Sequence, residues 1–386
     1  MLNCQRHLFN LEDSQAYLNG AYMSPQLKSV EEAGLIALRK KSRPYQIGLD
    51  DFFGPVARLK ATFAKLVNAG AAERIALIPS VSYGVSTVAR NAPVAAGSRI
   101  IIAEEQFPSN YYAWKRLADE RGAEVCCIPP PDSSQRAAAW NEALLHAIDS
   151  RTAVVALGNV HWGDGTRFDL RAVRARANAV GAWLVVDGTQ SVGALPFDVA
   201  EIQPDALICA GYKWLMGPYS IGLAYYGPAM DGGIPLEENW INRHNSHDFT
   251  HLAQYQPAYQ PMAGRYNTGE QSNFILVPMM QAALDQILEW GVPEIQEYGK
   301  ELFRETGEAL AGLGCQLDPE DSRAHHLVGV RLPKGVDMQV FKEALGSAQV
   351  HVSIRGNAIR VSCHVYNQKA ELERLLRCFR QVLGRA

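Results

Sequence analysis

Seven short apolar segments lie between residues 74 and 226, and they constrain the fold more than any other feature of this chain. They are 74–78, 99–103, 123–128, 153–157, 182–187, 205–210 and 221–226, with helical spacing at 84–91, 109–121, 136–147 and 169–180 between them. None alternates strictly between apolar and polar residues, so each reads as a strand covered on both faces. Such strands joined through helices predict an α/β fold with a mostly parallel seven-stranded sheet. Ligands in such a sheet sit beyond the carboxyl ends of the strands.

The flanks carry other patterns. A turn-like segment, Tyr17 to Tyr22, precedes a helical stretch broken near Pro44. Phe53, Val56, Leu59, Phe63 and Leu66 then mark an amphipathic helix over 51–69. Residues 231–272 are rich in His, Asn, Gln, Tyr and Pro and show no periodicity. A long helix resumes near Val277. Helix 293–313, strand 326–331, helix 337–345, strands 349–354 and 357–362 and helix 368–383 then outline a smaller α+β domain. The expected division is an N-terminal segment 1–20 packed with the small domain, a large domain 21–280 and a small domain 281–386.

Composition narrows the function classes. With 386 residues, 47% of them hydrophobic, and a net charge of -3, the chain has ample core and no basic field for nucleic acid or anionic lipid. No apolar run is long enough to span a bilayer, and the N-terminal MLNCQRHLFNLEDSQ lacks a signal-peptide core. The seven cysteines form no CxxC pair, which suggests neither zinc nor a disulfide framework and fits a reducing cytoplasm. His244, His247 and His251 lack the fixed spacing of a metal site, so no metal is expected.

Lys213 carries the chemical argument. It is the only lysine between Lys115 and Lys300, and it follows the apolar strand 205–210 through a small-residue turn. A lysine there is costly to keep charged, so its pKa should fall, and a neutral amine suits Schiff-base chemistry. Asp187 ends the neighbouring apolar strand. Lys and Asp at adjacent strand ends can grip an aldehyde cofactor, the amine at the aldehyde and the carboxylate at a ring nitrogen. Gln190, in Asp187-Gly188-Thr189-Gln190, is within reach of the same ring, although an Asp-Gly pair also makes ordinary turns.

Ser80-Val81-Ser82-Tyr83-Gly84 opens a helix after the first strand, where free amides and hydroxyls suit a phosphate. Ser82 and the Tyr83 amide are the candidates there, and a plain Ser82 N-cap is the alternative. Neither GxxxxGK[ST] nor GxGxxG occurs, which argues against a nucleotide site. Phe107 stands just after a strand end, placed either to stack on a planar ring or to fill core. Of His161 and Trp162, one is expected to face the cofactor and the other to pack. Arg355 and Arg360 flank an apparent Gly356-Asn357 turn, and a guanidinium there can fork a substrate carboxylate.

Taken together, VVDGTQSVGALPFDV and the following ICAGYKWLMGPYSIG resemble class V aminotransferase-like enzymes of the fold-type I pyridoxal-phosphate superfamily. That group includes cysteine desulfurases, kynureninases and isopenicillin-N-epimerase-like proteins. The resemblance implies pyridoxal 5'-phosphate as cofactor, a small amino acid as substrate and a homodimer with its active site at the interface. Lys213 would bind the aldehyde and take the Cα proton. Asp187 would pair with the ring nitrogen, Gln190 would meet the ring oxygen and Phe107 would stack on the ring. Ser82, Tyr83 and Tyr212 would hold the phosphate, with Gly269 and Glu270 reaching it from the partner subunit. Arg355 would clamp the substrate carboxylate, with Asn19, Gly20 and Ala21 lining the same pocket.

Two departures bear on the reaction. Tyr83 stands where many relatives carry an acidic residue. The segment 354–360 is short and lacks the loop cysteine of the desulfurases, since Cys363 lies beyond it. A persulfide relay is therefore disfavoured. The resemblance points to an aminotransferase-type reaction, with a C–S or C–C lyase or an epimerase as the alternative.

Overall fold

The large sheet is buried on both faces because each strand sends successive side chains to opposite sides. Ile75 and Leu77 enter one apolar cluster while Ala76 and Ile78 enter another, and Ile101 and Ile102 divide in the same way. The strands therefore need apolar residues at every position, which explains their lack of polar alternation. The structure, a computed structural model, describes residues 2–133, 135–356 and 358–384, so Asn357 of the expected turn lies outside the described residues.

In chain order the first half holds β1 (Ala16–Tyr17), α1 (Lys28–Lys41), α2 (Leu49–Leu66), β2 (Ile75–Ile78) and α3 (Val81–Asn91). Then come β3 (Arg99–Ala103), α4 (Ser109–Arg121), β4 (Glu124–Ile128), α5 (Arg136–Ala147), β5 (Thr152–Gly158) and α6 (Leu170–Val180). They are followed by β6 (Trp183–Asp187), α7 (Val199–Ile202), β7 (Ala206–Ala210) and β8 (Gly222–Tyr226). The last part holds α8 (Leu276–Trp290), α9 (Val292–Gly312), β9 (Leu327–Arg331), α10 (Met338–Ser347), β10 (Val350–His351), β11 (Ser353–Arg355), β12 (Ala358–Ser362) and α11 (Lys369–Leu383).

The seven-stranded sheet runs β2-β8-β7-β6-β5-β3-β4. The pairings among β3 to β7 are parallel, whereas β8 is antiparallel to both β2 and β7. No helix separates β7 from β8, so the chain turns back on itself and reverses direction. Asp187 at the end of β6 stands opposite Ile208 in β7, which brings the ends of these two strands together.

Two sequence expectations shift. The helix expected over 84–91 begins at Val81, and Ser80, not Ser82, caps it by accepting the Tyr83 amide at 3.2 Å. The strand expected over 349–354 is two strands: β10 pairs in parallel with β1, while β11 pairs with β12. Two different sheets claim the two halves, and a single unbroken strand could not serve both. Val277, Met280, Ala283, Leu284 and Ile287 of α8 are buried in the same core as α1 and α2.

The smaller C-terminal sheet is antiparallel, in the order β11-β12-β9. Its core joins Leu302, Phe341, Ile359, Leu375 and Phe379 with Ala16 and Leu18 from the N-terminal segment. Among the described residues, no helix is long and apolar enough to cross a membrane.

Candidate active site

Strand ends and helix starts enclose a cavity of about 260 Å³ at the carboxyl edge of the large sheet. Lys213, Asp187, Phe107, Trp162, Tyr212 and Ser82 all line it. The turn that delivers Lys213 needs small residues: a Cβ on Gly211 would lie 2.4 Å from the Ile221 carbonyl, and one on Gly217 would lie 2.1 Å from the Met280 sulfur. The chain can therefore double back tightly after β7 and leave the amine facing the cavity.

Burial pulls the Lys213 amine down from 10.5 to about 8. The Asp187 carboxylate opposes that fall, while the Arg360 and Arg355 guanidiniums add to it. The amine lies 5.7 Å from the centroids of both the Phe107 and the Tyr212 rings. At neutral pH an appreciable fraction is the free base, which can condense with an aldehyde or accept a proton.

Asp187 is held rather than loose. The Thr189 amide donates to one carboxylate oxygen at 2.9 Å, and the Asn110 side-chain amide donates to the other. Asn110 is buried in the first turn of α4, and its own Oδ1 has no partner among the described residues. It was not singled out in the sequence. Its signal was a polar residue two positions after the Pro108 that opens α4, in the loop that also carries Phe107.

Gln190 lines the cavity, yet its side chain is occupied at both ends: Nε2 donates to the Ala21 carbonyl at 3.1 Å, and Oε1 accepts from Trp214 at 2.8 Å. A contact with a ring oxygen would compete with those bonds. Its backbone carbonyl lies 2.7 Å from Nε2 of His326, whose Nδ1 lies 2.7 Å from the Gln296 side-chain nitrogen. Only a neutral His326 with its proton on Nε2 satisfies both contacts. Burial agrees, taking His326 from 6.5 down to about 4.

The structure separates the His161 and Trp162 pair. His161 does not enter the cavity: it is buried against Trp140 at 5.0 Å and sits 3.2 Å from Asp164. Trp162 lines the cavity, meets the Phe107 ring edge-on at 5.6 Å and donates its indole N–H to the Glu105 carbonyl at 2.7 Å. A buried histidine paired to a carboxylate and packed among aromatic rings is a core feature.

Tyr83 does not enter the cavity either. Its amide is taken by the Ser80 cap, and its side chain leans on Glu237, which together with burial raises its pKa. Glu237 also accepts the Gly269 amide, so the turn with Gly269 and Glu270 sits beside α3 rather than in this chain's own cavity. Glu270 is exposed in a left-handed conformation, φ 56.

Two guanidiniums lie on the small-sheet side. Arg355 stacks over the Trp162 ring at 5.2 Å, and its Nε is buried without a partner among the described residues. Arg360, in β12, is fully buried; it donates to the Trp162 carbonyl at 2.8 Å and to the Ser353 hydroxyl at 3.1 Å. Neither has a carboxylate within 4.0 Å among the described residues. Burial and the nearby Arg355 charge bring Arg360 down from 12.5 to about 10. Its sequence signal is a lone charge inside the apolar strand Ala358-Ile359-Arg360-Val361. Asn19 and Ala21 stand behind this layer: Asn19 accepts from Ser353 at 2.8 Å, and the Ala21 amide donates to Ser362 at 3.0 Å.

The sequence pattern of the aminotransferase class-V family matches residues 52–375. The chain belongs to that family. It is a pyridoxal-phosphate-dependent enzyme of the mixed α/β fold that the sequence predicted. An uncharacterized aminotransferase, YcbU of Bacillus subtilis, is 27% identical over 80% of this chain and 79% of its own length. A cysteine desulfurase of Salmonella typhimurium is 30% identical over 64% of this chain and 60% of its own length. Among solved structures, the cystine C–S lyase C-DES, in complex with its product cysteine persulfide, superposes with a TM-score of 0.83. That match covers 95% of this chain and 97% of the other at 18% identity, and it shows the shared fold.

The residues present suit the family's cofactor. The cavity offers a partly neutral buried amine, a carboxylate fixed by two donors and an aromatic face at Phe107. At its other end the first turn of α3 contributes the Ser80 and Ser82 hydroxyls, 2.9 Å apart, where a phosphate is favoured by free amides and the helix dipole.

Proposed function

We propose that this enzyme removes the Cα proton of an α-amino acid in an aminotransferase-type reaction, with Lys213 as the base. The observation that carries this reading is the buried Lys213 amine, which lines one cavity with Asp187 and Phe107 and feels two guanidiniums that lack carboxylate partners among the described residues. When bound, pyridoxal phosphate supplies an aldehyde that condenses with an amine and a ring that accepts the electrons of the broken Cα–H bond. Lys213 would hold that aldehyde in the resting enzyme and carry the proton once freed. Asp187 would keep the ring nitrogen protonated, with Asn110 and the Thr189 amide fixing its direction. Ser80, Ser82 and Tyr212 would hold the phosphate, and Phe107 would cover the ring.

The substrate carboxylate would be taken by Arg360, with Arg355 beside it. This revises the assignment of that role to Arg355 alone: Arg360 is the more deeply buried, and a buried guanidinium without a counter-charge favours an anion strongly. Trp162 ties both arginines to the cavity, through its ring for Arg355 and its carbonyl for Arg360.

A second reading, β-elimination, rests on what the cavity lacks. Among the described residues no cysteine lines it, and Cys363 is buried in the core of the small sheet. A departing β-group would leave to solvent instead of being passed to a protein thiol.

Assembly and setting belong to the same reading. Leu35, Ile36 and Leu38 of α1 are exposed by 41%, 58% and 54%, next to an apolar cavity between α1, α2 and residues 272–278. Exposed apolar side chains beside an apolar cavity suit a second copy of the chain, which would bring the partner's Gly269 and Glu270 to the phosphate. Seven free cysteines, five of them buried, suit a reducing cytoplasm. The large and small units would meet beyond α8, near residue 290, rather than at 280.

The test is direct. The purified enzyme should be yellow, and borohydride should fix the chromophore to Lys213, as read by peptide mass spectrometry. Amino acids in deuterated water should then exchange at Cα. An oxo-acid formed without ammonia supports transamination, and ammonia released with a free β-group supports the lyase. A label on another lysine, or no exchange with any amino acid, refutes the proposal.

A further inference from the structure

A second cavity, of about 460 Å³, opens in the small C-terminal part between α9 and the segment leading into β9. It shares no lining residue with the catalytic cavity. Four cations line it, and three of them have counter-charges. Lys300 meets Glu320 at 3.5 Å, Arg304 meets Glu301 at 3.1 Å, and Arg331 meets Asp318 at 2.9 Å. Arg323 does not: no carboxylate lies within 4.0 Å of it among the described residues, and its Nε and Nη1 are buried with no acceptor.

Arg323 is half-buried, and burying two nitrogens of an ionised group without acceptors is unfavourable. Burial lowers the Arg323 pKa, and the nearby Glu320 and Asp318 only partly offset it. The Arg323 backbone is anchored, and its guanidinium rests on an aromatic ring. Its backbone bridges Thr166 in antiparallel fashion, the following Ala324 amide donates to the Gly165 carbonyl at 3.3 Å, and its guanidinium lies over the Phe303 ring at 5.4 Å. The cation is thus fixed against an aromatic face at the edge of a cavity wide enough for a small organic molecule.

We propose that this cavity binds an oxyanion carrying an apolar group, a carboxylate or phosphate monoester, with the charged end on Arg323 and the apolar end against Phe303 and Ala311. A guanidinium on an aromatic face accepts either oxyanion, while the apolar wall rewards a hydrocarbon or aryl tail.

Isothermal titration of the full-length holoenzyme with phenyl phosphate and with 3-phenylpropionate tests this, with inorganic phosphate as the tailless arm. One saturable site per chain is expected, with inorganic phosphate binding roughly tenfold weaker for want of the tail. Arg323→Gln should weaken phenyl phosphate roughly tenfold or more. Ala311→Trp, on an exposed helix position, should block the cavity without touching the guanidinium, so a loss in both variants does not rest on one substitution. Arg360→Gln should leave this binding unchanged, which separates it from the catalytic cavity. No saturable heat up to about 10 mM, or affinity that survives both Arg323→Gln and Ala311→Trp, overturns the site.

Discussion

Replacing Lys213 by Met in the cofactor-free protein should stabilise it, and only below a defined pH. Met nearly conserves the volume and cannot be charged. The native amine holds its proton only up to about 8, whereas the ordinary value is 10.5. At about 1.4 kcal/mol for each pH unit, keeping this amine charged in the folded state costs about 3 kcal/mol. The unfolded chain binds the proton more tightly, so stability rises with pH through this window. The cost is complete below pH 8, shrinks between pH 8 and 10.5 and vanishes above that. Urea unfolding of both proteins should therefore show Lys213→Met ahead by about 3 kcal/mol at pH 7, with the gap closing toward pH 10.5. Comparing the two proteins at each pH cancels the titration of every other group. A gap that is the same at pH 7 and above 10, or no gap at all, would refute the claim that burial and the two arginines outweigh Asp187.

Other expectations follow from single contacts. Asp187→Ala should keep part of its cofactor affinity yet lose roughly a hundredfold or more in Cα deuterium exchange; wild-type wash-in would falsify the electron-sink role. Asn110→Ala should lower the same exchange by roughly tenfold or more with little change in cofactor affinity, because it orients Asp187 without being the charge. Arg360→Gln should raise the KM for amino acids roughly tenfold to a hundredfold while barely affecting amines without a carboxylate, and equal losses for both would count against a clamp. Gln296→Leu removes the partner of His326 Nδ1 and of the Ala194 carbonyl, and should cost about 1–3 kcal/mol in urea unfolding. No change in the unfolding midpoint would show that this buried network contributes nothing.

The sequence by itself determined the large sheet, because a strand buried on both faces must be apolar throughout, and helices between such strands force parallel crossovers. It also marked Lys213 and Asp187, since each alone has an ordinary structural use but the two at adjacent strand ends can grip one cofactor. What the tertiary structure decided were pairings between distant segments. Only the fold shows that Asn110 fixes Asp187 and that Gln190 is engaged by Ala21 and Trp214. Only the fold turns Trp162 inward and His161 into the core, although the two are adjacent in the chain. The same holds for Arg355 and Arg360: their strand placement was legible, but which guanidinium lacks water and counter-charge depends on what β11, β12 and Trp162 pack against. Local pattern is written in one segment, whereas burial and partnership are properties of segments that meet only when the chain has folded.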